Sequence, residues 1–427
     1  MAARLRPVAG ESPTAEPPWL SRLAHGEPGL SRVAALGQTA QALMRAGRTS
    51  ECFAVLDEQR AAAGTDQTAL VWALTVSCAV RGVLGQLARS RADLAQARRT
   101  CLYAAPLLAQ PYWQFADIVY NWLSGDWNAA RADASSLNAS QVAPVTPVLA
   151  GVILALRTEM LRGIGMLRES RMVAERLPAE APAEMAAWAQ AGLNVDDGRG
   201  ADAMRLLADV CDAGKRSVNR ASLPLVLHRM AETAFSAGDR DATARAAAGL
   251  ADLDQAAPLT EIVTGIAQAY AACDPRPARH AQQRAKAEGA WALTAEALTA
   301  RGRTGEDPAK TLAAAHAAWE RIGAPARARA VAAAMRDAGL PAPSAGFQWA
   351  RHVPAKEPPA LTERERSVAL LVHQGRTNQQ IAHALNISIK TVEAYLTRLY
   401  RKTSCSSRVE LAVAVTEHRL HLGGEDG

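Results

Sequence analysis

The side chains best placed to do chemistry in this 427-residue chain lie near its C-terminus, in the segment IKTVEAYLTRLYRK. Lys390, Thr391, Glu393, Ala394, Thr397, Arg398, Arg401 and Lys402 form the outward face of a predicted helix, and Val392, Tyr395, Leu396 and Leu399 form its apolar face. Cations at that spacing neutralise phosphates, while short polar and small side chains can meet base edges in a major groove. Thr377, Asn378, Ser388 and Arg408 stand at or beside predicted helix starts, where backbone amides and side chains together hold phosphate oxygens. The charge agrees: residues 360–422 hold nine Lys and Arg against five acids, or +4 of the chain's +6.

Other chemistries have little to stand on. The nine histidines never take metal-ligand spacing, and the six cysteines are scattered without a CxxC pair, as expected of reduced, mostly buried thiols. No G-x-S-x-G nucleophile motif occurs. Gly214-Lys215 lacks the upstream glycine of a phosphate-binding loop, because Asp209 stands there. Asp196-Asp197 precedes a turn and reads as a helix cap rather than a catalytic pair. An enzyme is therefore not expected, and neither a cofactor nor a metal is.

The elements that must position these residues are helices. With 49% apolar residues, mostly Ala, Leu and Val, and only 4% aromatic, the composition favours helices over β-sandwiches or barrels. The longest apolar stretch, Val148 to Leu156, is too short for the roughly 20 residues of a membrane span. Pro7, Glu11, Pro13 and Glu16 occupy the place where a signal peptide needs an apolar run, so a cytoplasmic location is expected.

Four helix starts crowd the C-terminal segment. Thr362 with Glu365, Thr377 with Gln380, and Ser407 with Glu410 have capping-box spacing, and Ser388 supplies the fourth start. They predict helices near 362–373, 378–385, 388–402 and 407–418, the second and third joined by a short turn centred on Asn386. That is helix-turn-helix geometry, with the third helix entering the groove.

The run LTERERSVALLVHQGRTNQQIAHALNISIKTVEAYLTRLYRK with SSRVELA after it resembles the LuxR-type helix-turn-helix domain of bacterial transcription factors. The resemblance covers about 60 residues. It implies a DNA-binding domain in which positions 390, 393, 394, 397 and 398 face the DNA, and pairing of two copies through the last helix, 407–418. This sequence has Glu393 where Lys is common, Tyr395 where His is common, and Thr403-Ser404-Cys405 in place of Leu-Gly-Val, so base preference is not carried over.

Upstream, glycine-containing turns recur between Ala-rich apolar stretches at Gly47, Gly85, Gly125, Gly163, Gly200 and Gly238, about 38 residues apart. The next step lands on Arg276 within DPRPA. A unit of that length is a helical hairpin that buries its apolar face only by stacking on its neighbours. The expected fold is all-α: a tetratricopeptide-like α-solenoid of about eight hairpins, followed by a four-helix LuxR-type domain. The final pair is expected to turn at Gly323, with GRTGEDP at 302–308 as an inserted loop. The solenoid and its ending, AAWERIGAPARARAVAAAMRDAGL, are also similar to the C-terminal part of large ATP-binding LuxR-family regulators, including maltose-regulon activators, here without the ATPase motif.

The expected division is a disordered segment 1–30, a helical-repeat sensor or interaction domain 31–339, a proline-rich linker 340–360, and the DNA-binding domain 361–422. Six aromatic residues crowd positions 112–127, and Trp113, Tyr120, Trp122 and Trp127 either offer a stacking surface to an effector or pack between repeats. The functional expectation is a sequence-specific transcriptional regulator, by resemblance an activator. It would bind double-stranded DNA as a homodimer, with RNA polymerase and a small-molecule or protein effector as further partners. The alternative is an adaptor whose repeats bind other proteins and whose C-terminal domain serves docking or dimerisation.

Overall fold

The computed structural model describes residues 28–101, 109–127, 129–131, 146–214, 219–343, 362–373, 376, 378–385 and 387–403. Two compact units are present, 1–344 and 345–427. Among the described residues the structure is helical throughout, with no strand. None of these helices is long and apolar enough to cross a membrane.

Unit 1 is a stack of helical hairpins: α1 (Pro28–Arg45) with α2 (Thr49–Ala63), α3 (Gln67–Val83) with α4 (Leu87–Thr100), and α5 (Gln110–Ser124) with a short helical stretch beginning at Trp127. They continue as α6 (Pro147–Ile164) with α7 (Leu167–Ala174), α8 (Ala183–Asp196) with α9 (Gly200–Gly214), and α10 (Leu223–Ser236) with α11 (Arg240–Ala251). The last are α12 (Pro258–Ala272) with α13 (Pro275–Glu288), and α14 (Trp291–Arg303) with α15 (Pro308–Ile322), followed by a lone α16 (Pro325–Asp337). The helix starts follow local chemistry. Asp66, Asp239 and Asp274 each accept a backbone N–H of the first turn, and proline opens several helices at positions where a missing N–H costs nothing.

The repeat register is close to the expected one, with four shifts, one of them at Arg276, which lies inside α13 while Cys273 makes the turn before it. The hairpin turns are made by left-handed residues at 47, 85, 125, 165, 198, 238, 273 and 305. Gly163 lies inside α6 and the turn belongs to Gly165, because only a residue without Cβ at 163 leaves room for the Trp127 ring. Gly200 opens α9, and Gly198 makes the turn before it. GRTGEDP is itself the turn of the eighth hairpin rather than an insertion, so Gly323 leads from that hairpin into α16. Asp197 is the C-terminal cap of α8, its N–H donating to the Leu193 carbonyl at 3.0 Å, and the two carboxylates also pair, Asp196 with Arg162 and Asp197 with Arg171 and Arg199.

The stack coils back on itself every five hairpins. In the second hairpin the Leu84 carbonyl accepts a hydrogen bond from Leu259 N–H of the seventh at 3.1 Å. Trp127 of the third packs edge-on against Trp319 of the eighth, with ring centroids 5.9 Å apart. Glu159 of the fourth meets Arg327 of α16 at 2.6 Å. Successive turns of the superhelix thus touch directly, and one continuous apolar core runs from Leu87 to Met335.

Unit 2 holds α17 (Glu363–His373), α18 (Asn378–Leu385) and α19 (Ile389–Thr403) around Val368, Val372, Ile381, Val392, Leu396 and Leu399. These are residues that helical spacing assigns to the apolar faces. The fourth expected helix, 407–418, lies outside the described residues.

Candidate nucleic-acid interface

The C-terminal helices are held by their own sequence signals. Thr362 and Glu365 form a reciprocal capping box: the Thr362 N–H donates to the Glu365 carboxylate at 2.9 Å, and the Glu365 N–H donates to the Thr362 hydroxyl at 3.3 Å. Arg364 reaches the carbonyl of Leu385 at 3.3 Å and so ties the start of α17 to the end of α18. The Ile387 N–H returns to the Ala382 carbonyl at 2.9 Å, which turns the chain sharply out of α18. Ser388 then caps α19, its hydroxyl accepting the Thr391 N–H at 3.1 Å and lying 2.7 Å from the Thr391 hydroxyl.

This arrangement seats Val392, Leu396 and Leu399 in the core and turns the opposite side of α19 outward. Ser388, Lys390, Glu393 and Arg398 are exposed, and Asn378 and Thr391 are half-buried. The Arg398 guanidinium lies over the Tyr395 ring, 5.4 Å from its centroid, which steadies a long side chain beside the helix. Ala394, Thr397, Arg401 and Lys402 belong to α19. Thr377 and Arg408 lie outside the described residues. The outcome is a helix-turn-helix whose second helix presents cations and hydrogen-bonding groups on one face.

Residues 359–415 match the bacterial regulatory proteins of the luxR family. The C-terminal unit carries a LuxR-type helix-turn-helix domain. Similar segments occur in a probable transcriptional regulator, ycf29, of Cyanophora paradoxa, 49% identical over 60 residues, or 14% of this chain and 29% of that protein. The response regulator Rre1 of a Synechocystis species is 46% identical over 60 residues, 14% of this chain and 26% of its own. The transcriptional regulatory protein LiaR of Bacillus subtilis is 40% identical over 63 residues, 15% of this chain and 29% of its own. The chain thus spans under a third of the length of these relatives.

The aromatic cluster of unit 1 is committed to packing. Trp113 is buried and donates its indole N–H to the Thr75 hydroxyl at 2.8 Å. Trp122 meets Trp188 edge-on at 5.9 Å, and Trp127 donates to the Trp122 carbonyl at 2.9 Å. Tyr120, half-buried, carries the Arg91 guanidinium 4.7 Å above its ring.

Sequence reading missed a buried charge network in the same unit. Glu159, 2% exposed, is bound by Arg162 at 2.5 Å, Arg229 at 2.8 Å and Arg327 at 2.6 Å. Burial would lift its pKa, but the three guanidiniums outweigh that and hold the carboxyl well below its usual range. Beside it, His228 Nε2 lies 2.7 Å from Glu296. Burial opposes charge on that ring, yet Glu296 raises its pKa above the usual value. The available signal was the presence of Glu159, Arg162, His228 and Arg229 on faces otherwise occupied by Leu, Met and Ala, where a charge is retained only with a partner.

Proposed function

We propose that this chain is a cytoplasmic transcriptional regulator that reads a specific DNA sequence through α19. The observation that carries the reading is the capped, outward polar face of α19, in a domain of the LuxR type. Lys390, Arg398, Arg401 and Lys402, with Thr377, Asn378, Ser388 and Arg408, contact phosphates and supply most of the affinity. Thr391, Glu393, Ala394 and Thr397 face base edges and set the preference. Two copies paired through 407–418 place their recognition helices in major grooves about one helical turn apart.

The repeat unit serves as the regulatory part: an effector or protein partner bound there shifts how often paired DNA-binding domains are available. The chain acts without covalent chemistry, as an activator that engages RNA polymerase.

Selection of DNA from a random pool by the full-length chain, followed by footprinting of the enriched sites, tests the reading. A palindromic site protected in two half-sites is the expected result. Failure to enrich any site would overturn it in favour of an adaptor.

A further inference from the structure

A cavity of about 600 Å³, open on one side, lies where consecutive hairpins of unit 1 converge. Its wall draws on the fourth to eighth hairpins and on α16, a convergence possible only near the superhelix axis. Four guanidiniums line it, and three are already paired. Arg162 binds Glu159 and Asp196, Arg229 binds Glu159, and Arg327 binds Glu159 and Glu232.

Arg303 is different. Both of its Nη atoms rest on the Ser236 hydroxyl at 3.2 Å, and its Cζ lies 4.8 Å from the Phe235 ring centre and 5.7 Å from that of Tyr270. Among the described residues it has no carboxylate at ion-pair distance. The rings and the hydroxyl hold the guanidinium in place with no carboxylate bonded to it, so it is oriented to receive an anionic group.

Acceptors are left over in the same cavity. Glu232 bonds Arg327 through Oε1, and Glu296 bonds His228 through Oε2. Among the described residues the second oxygen of each carries no hydrogen bond. The cavity therefore offers one cation with no bonded carboxylate and two carboxylate oxygens with spare capacity, with the exposed Asp337 also on its lining. Ala326, Ala330, Val331 and Ala334 of α16 add a smooth apolar wall.

We propose that this cavity binds a small zwitterion of amino-acid or short-peptide type, with its carboxylate on Arg303 and its ammonium between Glu232 and Glu296. The ligand's side chain lies along the α16 wall. A dianion would meet the two carboxylates and a simple cation would meet Arg303, so a neutral pair of opposite charges matches the lining. This inference rests on the reading of the repeat unit as effector-binding, and it gives that effector a chemical class.

The test uses the full-length chain without DNA. Calorimetry and thermal melting are run with each of the twenty standard amino acids and a set of glycyl dipeptides. The best binder is then compared with its counterpart lacking the amine and its counterpart lacking the carboxylate. At least one zwitterion should bind and raise the melting temperature, with each counterpart binding about tenfold or more weakly, as loss of a charge-assisted hydrogen bond implies. Arg303→Lys and Glu296→Gln, each checked for native helicity, should weaken binding comparably, whereas Arg205→Ala on the exposed surface should not. The proposal is overturned if no zwitterion binds, if the deaminated counterpart binds equally well, or if both cavity variants bind as the parent does. Because no DNA is present, a failed DNA selection would remove the regulator reading without touching the cavity, and a failed titration would do the reverse.

Discussion

A Cβ placed on Gly163 would lie 2.0 Å from Cζ3 of Trp127, so the indole ring occupies the space that any other residue at 163 would claim. The ring also packs against Trp319 of the eighth hairpin, and Gly163 thereby sets how closely two turns of the superhelix approach.

Gly163→Ala should destabilise the repeat unit by about 1–3 kcal/mol, the usual cost of overpacking a filled core. Chemical denaturation followed by circular dichroism reads it directly. Arg205→Ala, on the exposed surface, should leave the midpoint almost unchanged.

Glu159→Gln leaves three guanidiniums buried around a neutral amide, and should cost about 3–5 kcal/mol. The acid limb of stability should change with it. Because the folded-state pKa of Glu159 is depressed, its contribution is complete above the ordinary carboxylate value and is lost as pH falls through the folded value. Melting curves from neutrality down to pH of about 3 should be steeper for the parent than for the Gln variant.

His228 has the opposite sign. Its folded-state pKa is raised, so its pairing with Glu296 contributes fully below the ordinary histidine value and is lost as pH rises through the folded one. The parent should lose stability relative to His228→Gln as pH rises above the ordinary histidine value, with melting temperature against pH as the readout.

In the LuxR-type domain, Lys390→Ala and Arg401→Ala should weaken binding to all DNA sequences and lower the salt slope by up to about one unit each. Glu393→Ala and Thr397→Ala should change which sequence is preferred. Ser388→Ala removes the cap on α19 and should cost about 1 kcal/mol of domain stability. If all four DNA-face substitutions leave binding unchanged, the wrong helix has been assigned to the groove.

Local chemistry was the legible part. Thr362, Glu365 and Ser388 announced their caps by type and spacing, and Val368, Ile381, Val392 and Leu396 announced the core by period, because both signals act within a few residues of chain. The hairpin period was legible for the same reason, and it slipped where a distant residue decided the matter. Nothing near Gly163 in sequence says that Trp127 will fill its space. The contacts of Glu159 with Arg327 and of His228 with Glu296 join hairpins that local spacing cannot bring together, so the cavity and its charges appear only once the superhelix has coiled. Trp122 and Trp127 illustrate the converse: crowding in sequence marked them as notable, and their buried partners Trp188 and Trp319 lie in distant hairpins.

The contact of each turn of the superhelix with the next bears on how such a chain can change over evolutionary time. Open repeat arrays gain and lose units readily, since each unit answers only to its neighbours. Here the seating of Leu259 on Leu84, Trp319 on Trp127 and Arg327 on Glu159 counts hairpins in fives. Deleting or duplicating one hairpin would leave every later one facing the wrong partner, so the number of repeats is locked.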